Sequence, residues 1–337
     1  MISVDHVTRR FGDRTAVEDV SFDVHAGEVF GLLGPNGAGK TTTLRMLGGL
    51  IPPTSGSIRI DGHAFTRESA TALRRRIGFL TETPGLWDQL TVEDNLLVYA
   101  RLFSVANARA AVQRALEMFT LWDRRRDRVA LLSKGMKQKL AIARALVHDP
   151  DIVLLDEPTA NLDPQTARTV RDMLQELRAA RRTIIVSTHN LDEIERVANR
   201  VALVSGRLIA IGEPEKLRNE VFGHRLRVRL DGTAEQMAAF SRLVLQAGAH
   251  DVRIDGTMLS IAANGSNAAT PAIVRALVEA GAAIYEVADD APSLEDVYVK
   301  LLQPGGPEGP PYKTPGTTKS GPEGPPYKTP RDPRASR

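Results

Sequence analysis

The segment "GPNGAGKT", residues 34–41, restricts the possible fold more than any other feature of this chain. It follows a short apolar run at residues 29–33 and precedes a helix-like run at residues 42–47. Glycines at these spacings let successive backbone N–H groups curl around an anion. A strand, a glycine loop and a helix in this order form a unit of α/β proteins with parallel sheets. The segment therefore predicts an α/β fold with a phosphate-binding loop, and a chance glycine turn is the alternative.

The same loop predicts how a nucleotide is held. Lys40 supplies a positive charge to the β- and γ-phosphates, and the Thr41 hydroxyl is the expected Mg²⁺ ligand. A nucleotide that carries β- and γ-phosphates, together with Mg²⁺, is therefore the expected ligand. We expect nucleotide contacts from the whole loop and the first helical turn, namely Gly34, Pro35, Asn36, Gly37, Ala38, Gly39, Lys40, Thr41 and Thr42.

A second segment, "DIVLLDE" at residues 151–157, ends in two acidic residues and fits the same site. Its apolar residues read as a strand buried on both faces, which delivers Asp156 and Glu157 to its carboxyl end. Ligands of open parallel sheets bind at that end. Asp156 suits the Mg²⁺ shell, and Glu157 can accept the proton of an attacking water. Taken alone, the pair could instead cap a helix, because Pro158 follows it.

The segment "LSKGMKQKL", residues 132–140, reads as a second anion-binding helix start. Ser133 is a favourable N-cap residue, and Gly135 leaves the backbone bare. Free N–H groups and the positive end of the helix dipole suit a phosphate. The sequence thus predicts two phosphate-binding helix starts in one chain.

Other patterns divide the chain into regions. Residues 1–30 alternate like half-buried strands, and residues 91–129 have a helical pattern. "RTIIVSTH" reads as another buried strand, and "RVALVSGRLIAIG" as a hairpin with its turn at Ser205 and Gly206. From residue 222 the order β-α-β-β-α-β predicts a small ferredoxin-like domain, and a final helix covers residues 293–302.

The end of the chain repeats "GPEGPPYKTP" at residues 306–315 and 321–330. This Pro- and Gly-rich segment cannot bury a core, so we expect residues 303–337 to be disordered. It is either a solvated tail or a peptide ligand for another domain. The net charge of +3 resides entirely there, because residues 304–337 hold six basic and three acidic residues. The balanced remainder argues against nucleic acid as a partner.

Absent residue types narrow the chemistry further. The chain has no cysteine, which excludes disulfides and cysteine nucleophiles. Its first residues lack the apolar stretch of a secretory leader, and no apolar run reaches the length that spans a bilayer. We therefore expect membrane association only through another chain.

Together these motifs resemble the ATP-binding subunits of ATP-binding-cassette (ABC) transporters, in particular single-cassette subunits of exporters such as the drug-resistance type. The resemblance implies a P-loop NTPase cassette at residues 1–221, with a RecA-like core and a helical subdomain at about 91–140. Residues 222–302 would form the α+β ferredoxin-like accessory domain, followed by the tail at 303–337.

The resemblance also assigns roles to single residues. It places Phe11 on the adenine ring, although a core aromatic is the alternative. Asp163, in "ANLD", would communicate between sites, and His189, in "STHN", would sense the γ-phosphate unless it is an ordinary surface histidine. Glu82 stands where the family usually has Gln, a residue that reaches Mg²⁺ and the attacking water. Trp87 is either a docking anchor for a membrane subunit or a buried residue of the helical subdomain.

In the family, two cassettes face each other head to tail, and each ATP lies between the phosphate loop of one and the signature helix of the other. Ser133 and Gly135 would therefore contact the nucleotide of a second copy. Here Lys134 and Met136 replace the family's usual Gly and Gln. The implied function is an ATPase that drives export through permease subunits, as a homodimer at the cytoplasmic face of the membrane. A soluble ABC protein of ribosomes or DNA, and a regulatory ATP-binding protein, are the alternatives.

Overall fold

The structure is a computed structural model that describes residues 1–160, 162–263, 270–290 and 292–303. The predicted disorder of the repeated segment lies outside these residues. Three sheets organise the described chain, one of six strands and two of four.

The central six-stranded sheet has the order β10-β9-β3-β8-β7-β6. Five of its strands run parallel, and β10 pairs antiparallel with β9, which confirms the predicted hairpin. Strands β3, β7 and β8 are buried along their whole length, as continuous apolar runs predict. The strands are β3 (Val29–Leu33), β6 (Ile77–Leu80), β7 (Ile152–Asp156), β8 (Thr183–Thr188), β9 (Arg200–Val204) and β10 (Leu208–Gly212).

An antiparallel sheet with the order β2-β1-β4-β5 contains the amino-terminal strands. Its inward side chains form one apolar cluster with one face of the central sheet, including the fully buried Phe22 and Phe30, which stack with ring centroids 5.2 Å apart. The strands are β1 (Ile2–Phe11), β2 (Arg14–Val24), β4 (Ser55–Ile60) and β5 (His63–Ala64).

Helices cover the central sheet and build the helical subdomain. The first group is α1 (Lys40–Leu47), α2 (Ala70–Arg75), α6 (Pro164–Ala179), α7 (Leu191–Glu195) and α8 (Pro214–Phe222). The second group is α3 (Val92–Leu102), α4 (Ala108–Met118) and α5 (Lys134–Leu146).

The helical pattern predicted for residues 91–129 is only partly correct. After α4 the chain forms two short 3₁₀ turns, Trp122–Arg124 and Val129–Leu131. Thr120 has a positive φ of 56°, which ends regular helix. The segment then returns to the start of α3, where the Val92 N–H donates to the Asp127 carbonyl at 3.0 Å.

The carboxy-terminal region has the predicted ferredoxin-like order. Its sheet, β12-β13-β11-β14, is antiparallel throughout. Leu226, Val228 and Leu230 alternate inward along β11 and form the core with the helices. The elements are β11 (His224–Asp231), α9 (Ala234–Gln246), β12 (Ala249–Asp255), β13 (Met258–Ala263), α10 (Thr270–Glu279) and β14 (Ala283–Asp289).

The last helix, α11 (Leu294–Leu302), packs on the cassette rather than on this small core. Leu294 and Val297 are fully buried in the apolar cluster of the central sheet and helical subdomain. Lys300 Nζ donates to the Val221 carbonyl at 2.7 Å and lies 4.2 Å from the Phe222 ring centroid. The chain thus leaves the cassette after α8, forms the ferredoxin-like unit and returns.

Candidate nucleotide-binding site

The phosphate loop joins β3 to α1 as the sequence predicts, and its backbone approaches its neighbours too closely for side chains. A Cβ atom at Gly34 would lie 2.2 Å from the Val204 carbonyl oxygen on β9. Only glycine fits there without displacing the strand. The loop is thereby held against the carboxyl ends of the parallel strands, and α1 begins at Lys40.

A cleft of about 680 Å³ opens beside this loop. Most predicted nucleotide and catalytic residues line it, namely Phe11, Asn36, Gly37, Ala38, Gly39, Lys40, Thr41, Thr42, Glu82, Glu157 and His189. The sequence analysis missed four further lining residues, Arg14, Ala16, Arg45 and Ala160. Arg14 follows Phe11 across the β1–β2 turn, and Arg45 lies one turn into α1. Their closeness in sequence to the predicted site residues Phe11 and Lys40 could have identified them. Two additional cations suit a polyphosphate.

Lys40 is buried at the floor of the cleft. Its ammonium donates to the carbonyl oxygens of Gly34 at 2.7 Å and Pro35 at 3.1 Å. It also lies 3.3 Å from Glu157 Oε1. Gly34 and Pro35 do not line the cleft themselves, and instead hold the Lys40 ammonium through their backbone carbonyls.

Glu157 stands directly after β7 in a left-handed backbone conformation, with φ at 49°. Such a conformation is unfavourable for a residue with a Cβ and is concentrated at functional sites. Its backbone N–H donates to the Ser187 carbonyl at 3.0 Å, which fixes the turn. The turn aims the side chain so that Oε2 lies 2.9 Å from His189 Nδ1 while Oε1 faces Lys40.

Asp156 is almost fully buried, and its Oδ1 accepts two hydrogen bonds. One comes from the Thr41 hydroxyl at 3.1 Å and the other from the Ser187 hydroxyl at 2.6 Å. Ser187 was not singled out from sequence, although it lies two residues before His189 and pairs in register with Asp156.

This donor set fits Mg²⁺. A hydroxyl and a carboxylate are hard oxygen ligands, and a magnesium ion bound to nucleotide phosphates needs few protein ligands. Among the described residues no group of three or more His, Asp or Glu is arranged to hold a metal ion by itself. Thr41, Asp156 and, from the loop side, Glu82 would therefore hold the ion only together with phosphate and water.

The second helix start lies elsewhere. Ser133 is the N-cap of α5, as predicted, and its Oγ accepts from the Met136 N–H at 3.3 Å. Neither Ser133 nor Gly135 lines the cleft of its own chain. A Cβ atom at Gly135 would lie 2.9 Å from Thr166 Oγ1, so the start of α5 packs closely on the start of α6.

Asp163 is the N-cap of α6 at this contact. Its carboxylate accepts from the Thr166 N–H at 2.9 Å and the Thr166 hydroxyl at 2.7 Å. These hydrogen bonds lower the pKa of Asp163 below its usual range. Asp163 is therefore charged at neutral pH, and it lies beside the start of α5.

Phe11 and Trp87 are both too exposed for the alternative interpretation of each as a buried aromatic residue. Phe11 is 47% exposed, with the Arg9 guanidinium 4.5 Å from its ring centroid, so it is not a core aromatic. Trp87 is 45% exposed and packs at a tilt on Tyr99, with centroids 5.6 Å apart. Each therefore offers a ring surface to a ligand or partner.

Comparison with known proteins decides the family. A family model described as "ABC transporter" matches residues 17–160. The chain is 37% identical over 303 residues to the daunorubicin resistance ATP-binding protein DrrA3 of Streptomyces coeruleorubidus, covering 89% of this chain and 95% of the relative. The chain belongs to the ATP-binding subunits of ABC transporters. It is thus an ATP-binding ABC ATPase, which confirms the fold and enzyme class expected from the motifs.

One further relative and one solved structure match about two thirds of this chain. The Nod factor export ATP-binding protein I of Paraburkholderia xenovorans is 45% identical over 219 residues, covering 64% of this ABC subunit and 72% of the relative. A dimeric post-hydrolysis structure of the ATP-binding cassette MJ0796 bound to ADP and Pi matches with a TM-score of 0.59 and 28% identity, covering 63% of this chain and 98% of that one. Cassettes of this family thus form dimers. No helix within the described part of the chain has the length and apolar character needed to cross a membrane.

Proposed function

We propose that this chain is the ATP-hydrolysing subunit of an ABC exporter, acting as a homodimer beneath separate permease subunits. The supporting observation is the position of Glu157, whose two carboxylate oxygens face Lys40 and His189 within the phosphate-loop cleft. A carboxylate between a cation and an imidazole, beside bound phosphates, is placed to deprotonate a water.

In this mechanism Phe11 stacks on the adenine, and the Lys40 ammonium moves from the Gly34 and Pro35 carbonyls to the β- and γ-phosphates. Glu157 then accepts the proton of the attacking water. His189 contacts the γ-phosphate and holds the Glu157 carboxylate in orientation. Thr41, Asp156 and Glu82 would hold Mg²⁺, which would supply positive charge beside the phosphates.

The second copy completes each site. Ser133 and the N–H groups at Gly135 belong to an anion-binding helix start that does not line its own cleft. We assign them to the γ-phosphate bound by the partner, and Asp163, packed beside that helix start, to communication between the two sites. Each charge-assisted hydrogen bond contributes about 1.5–3 kcal/mol. Hydrolysis removes the bridging charge, so the dimer opens and can drive a permease.

Export is inferred from the relatives. The names of two of them describe Nod factor export and daunorubicin resistance. DrrA3 matches across the carboxy-terminal region as well, which favours the drug-resistance type. On this proposal the subunit works at the cytoplasmic face, bound to the membrane only through its permease, with ATP and Mg²⁺ as cofactors.

Neither alternative function has comparable support. A role on ribosomes or DNA is disfavoured because residues 1–303 carry no net charge, and a nucleic-acid surface requires an excess of basic residues. A purely regulatory role is disfavoured because Lys40, Glu157 and His189 line one cleft, and the buried Asp156 accepts a hydrogen bond from Thr41, which also lines it.

Co-expression with a multi-helix membrane protein encoded in the same gene neighbourhood as a candidate permease tests the proposal. The full chain should co-purify with that permease from membranes, and its ATPase rate should rise in the complex. A Lys40→Ala variant should still bind the permease but should not support export of its cargo. Association with ribosomes, and with no permease, would overturn the proposal.

A further inference from the structure

The segment that leaves the cleft at Glu82 runs over the helical subdomain and is held there by buried polar contacts. Asn95, fully buried on α3, binds both backbone groups of Trp87. Its Oδ1 accepts from the Trp87 N–H at 2.9 Å, and its Nδ2 donates to the Trp87 carbonyl at 3.1 Å. The segment is therefore fixed at Trp87 by α3.

The signature helix α5 holds the same segment through two cations seven residues apart, which lie on one helix face. Lys137 Nζ donates to Asp88 Oδ1 at 2.8 Å. Arg144 Nη1 donates to the Gly85 carbonyl, also at 2.8 Å. The Lys137 pair lies at the surface, where ion pairs contribute little. The Arg144 hydrogen bond is partly buried, because the arginine is buried although Gly85 is exposed.

Arg144 is an unusual residue for such a place. It is only 7% exposed, and no carboxylate pairs with it among the residues that the structure describes. Its guanidinium lies 4.8 Å from the Tyr99 ring centroid, and burial lowers its pKa below the ordinary value. A buried charge without an opposite charge is expensive for the fold. An apolar residue would fill the space at lower cost, so stability alone does not account for Arg144.

The position of Gly85 shows what this contact controls. Leu80 is fully buried at the end of β6, and Gly85 is bound to Arg144. Only the short stretch 81–84 lies between these fixed points, and it contains Glu82, which lines the cleft. Releasing Gly85 would free one end of this stretch and change where the Glu82 carboxylate stands.

We propose that Arg144 is a positioning residue for ATP hydrolysis, which ties the segment bearing Glu82 to the signature helix through the Gly85 carbonyl. When the Ser133 end of α5 engages the second nucleotide, this bond carries the segment with the helix. The inference rests on the proposed role of Glu82 at the Mg²⁺ and the attacking water.

Steady-state ATP hydrolysis by the full chain tests it. Arg144→Met removes the donor and keeps the length and bulk of the side chain. We expect kcat to fall by about ten- to a hundred-fold, as for a misplaced active-site group, with KM for ATP unchanged. Arg144→Lys, which retains one donor, should recover part of the rate. Arg114→Met, which removes an exposed arginine from α4 of the same subdomain, is the matched control and should hydrolyse normally.

A double-mutant cycle with Glu82→Ala separates positioning from general destabilisation. If Arg144 acts through Glu82, Arg144→Met should change kcat by less than about twofold in the Glu82→Ala background. Multiplicative losses in the double variant, or an unchanged kcat in the single Arg144→Met variant, would overturn the inference. Neither result would affect the proposed motor function, since the parent chain would still hydrolyse ATP.

Amide hydrogen exchange tests the anchoring role without measuring activity. It uses the milder Arg144→Lys variant, so that the test stands even if Arg144→Met folds poorly. Amides of residues 81–90 should exchange faster than in the parent chain, whereas those of α1 and β7 should be unchanged. Equal exchange at residues 81–90 in parent and variant would contradict the anchoring role.

Discussion

Lys40 and Glu157 share one close contact, with the ammonium nitrogen 3.3 Å from a carboxylate oxygen. On the proposed mechanism, this ion pair must separate before Lys40 can bind phosphates and Glu157 can accept a proton from water. Phosphate oxygens would draw Lys40 away and leave the Glu157 carboxylate in contact with His189 alone.

Glu157→Gln keeps the shape of the side chain and removes the proton acceptor. We expect kcat for ATP hydrolysis to fall by roughly 10²–10⁴, the range for a lost general base. ATP binding should persist, so dimers should accumulate with ATP and Mg²⁺ in light-scattering chromatography. Hydrolysis at nearly the parent rate would remove Glu157 from the mechanism.

Shared sites predict rescue between two inactive variants. Lys40→Ala loses the phosphate cation, and Ser133→Arg blocks the signature helix. Each homodimer should be inactive, whereas a mixed dimer has one site with both intact parts. Its ATPase rate should reach up to about half that of the parent if the sites act independently.

The control for this rescue is a mixed dimer of the parent chain with a Lys40→Ala, Ser133→Arg double variant. With shared sites, each of its two sites carries one defect, so it should be inactive. Activity in this dimer, together with no rescue in the first mixture, would show that each chain completes its own site.

Phe11 offers an exposed ring and no hydrogen-bonding group to the base. Phe11→Ala should weaken ATP binding by about 1–3 kcal/mol, the value of one base–aromatic stack, and Phe11→Trp should preserve it. Calorimetric titration measures both. Because stacking tolerates different bases, GTP should bind within about tenfold of ATP, and strict rejection of GTP would mean that another residue reads the base.

The environment of His148 leads us to expect that the folded chain loses stability in acid. Its Nε2 donates to the Ile77 carbonyl at 3.1 Å, its ring stacks on Phe103, and its buried Nδ1 has no hydrogen-bond partner among the described residues. Burial lowers the pKa of His148 from 6.5. Below pH 6.5 the unfolded chain therefore takes up a proton that the folded chain refuses, and stability falls as pH falls through this window.

The measurement is the free energy of unfolding between pH 7.5 and 5.5, for the parent and for His148→Gln. Glutamine can still donate to the Ile77 carbonyl but does not titrate. We expect a shallower pH dependence in the variant, with a difference of up to about 1.4 kcal/mol per pH unit below 6.5. Equal slopes would show that His148 accepts its proton in the folded state.

Helix α11 offers a matched pair of substitutions. Leu294 is fully buried against the cassette, whereas Val299, on the same helix, is 50% exposed. Leu294→Ala should lower the free energy of unfolding by about 2–5 kcal/mol, and Val299→Ala by less than about 0.5 kcal/mol. Urea denaturation followed by circular dichroism compares them, and equal losses would show that α11 does not pack as described.

Sequence patterns could predict features that depend on neighbouring residues. The parallel strands, the N-cap at Ser133, the hairpin at Gly206 and the ferredoxin-like order all follow from local periodicity and turn chemistry. The contacts of Ser187, Arg14 and Arg144 depend on how distant segments meet, which no local pattern records. The packing of α11 could not be predicted for the same reason. Its amphipathic pattern does not tell whether its apolar face packs on the cassette or on the ferredoxin-like core.

The return of α11 to the cassette has a consequence for synthesis of the chain. Residues up to Phe222 leave the ribosome before the ferredoxin-like unit, yet Leu294 and Val297 belong to the cassette core. Until α11 has emerged from the ribosome, the apolar groove over α7 and α8 lacks the helix that fills it. A chain released at residue 222 would keep that groove exposed to water, where chaperones and proteases act.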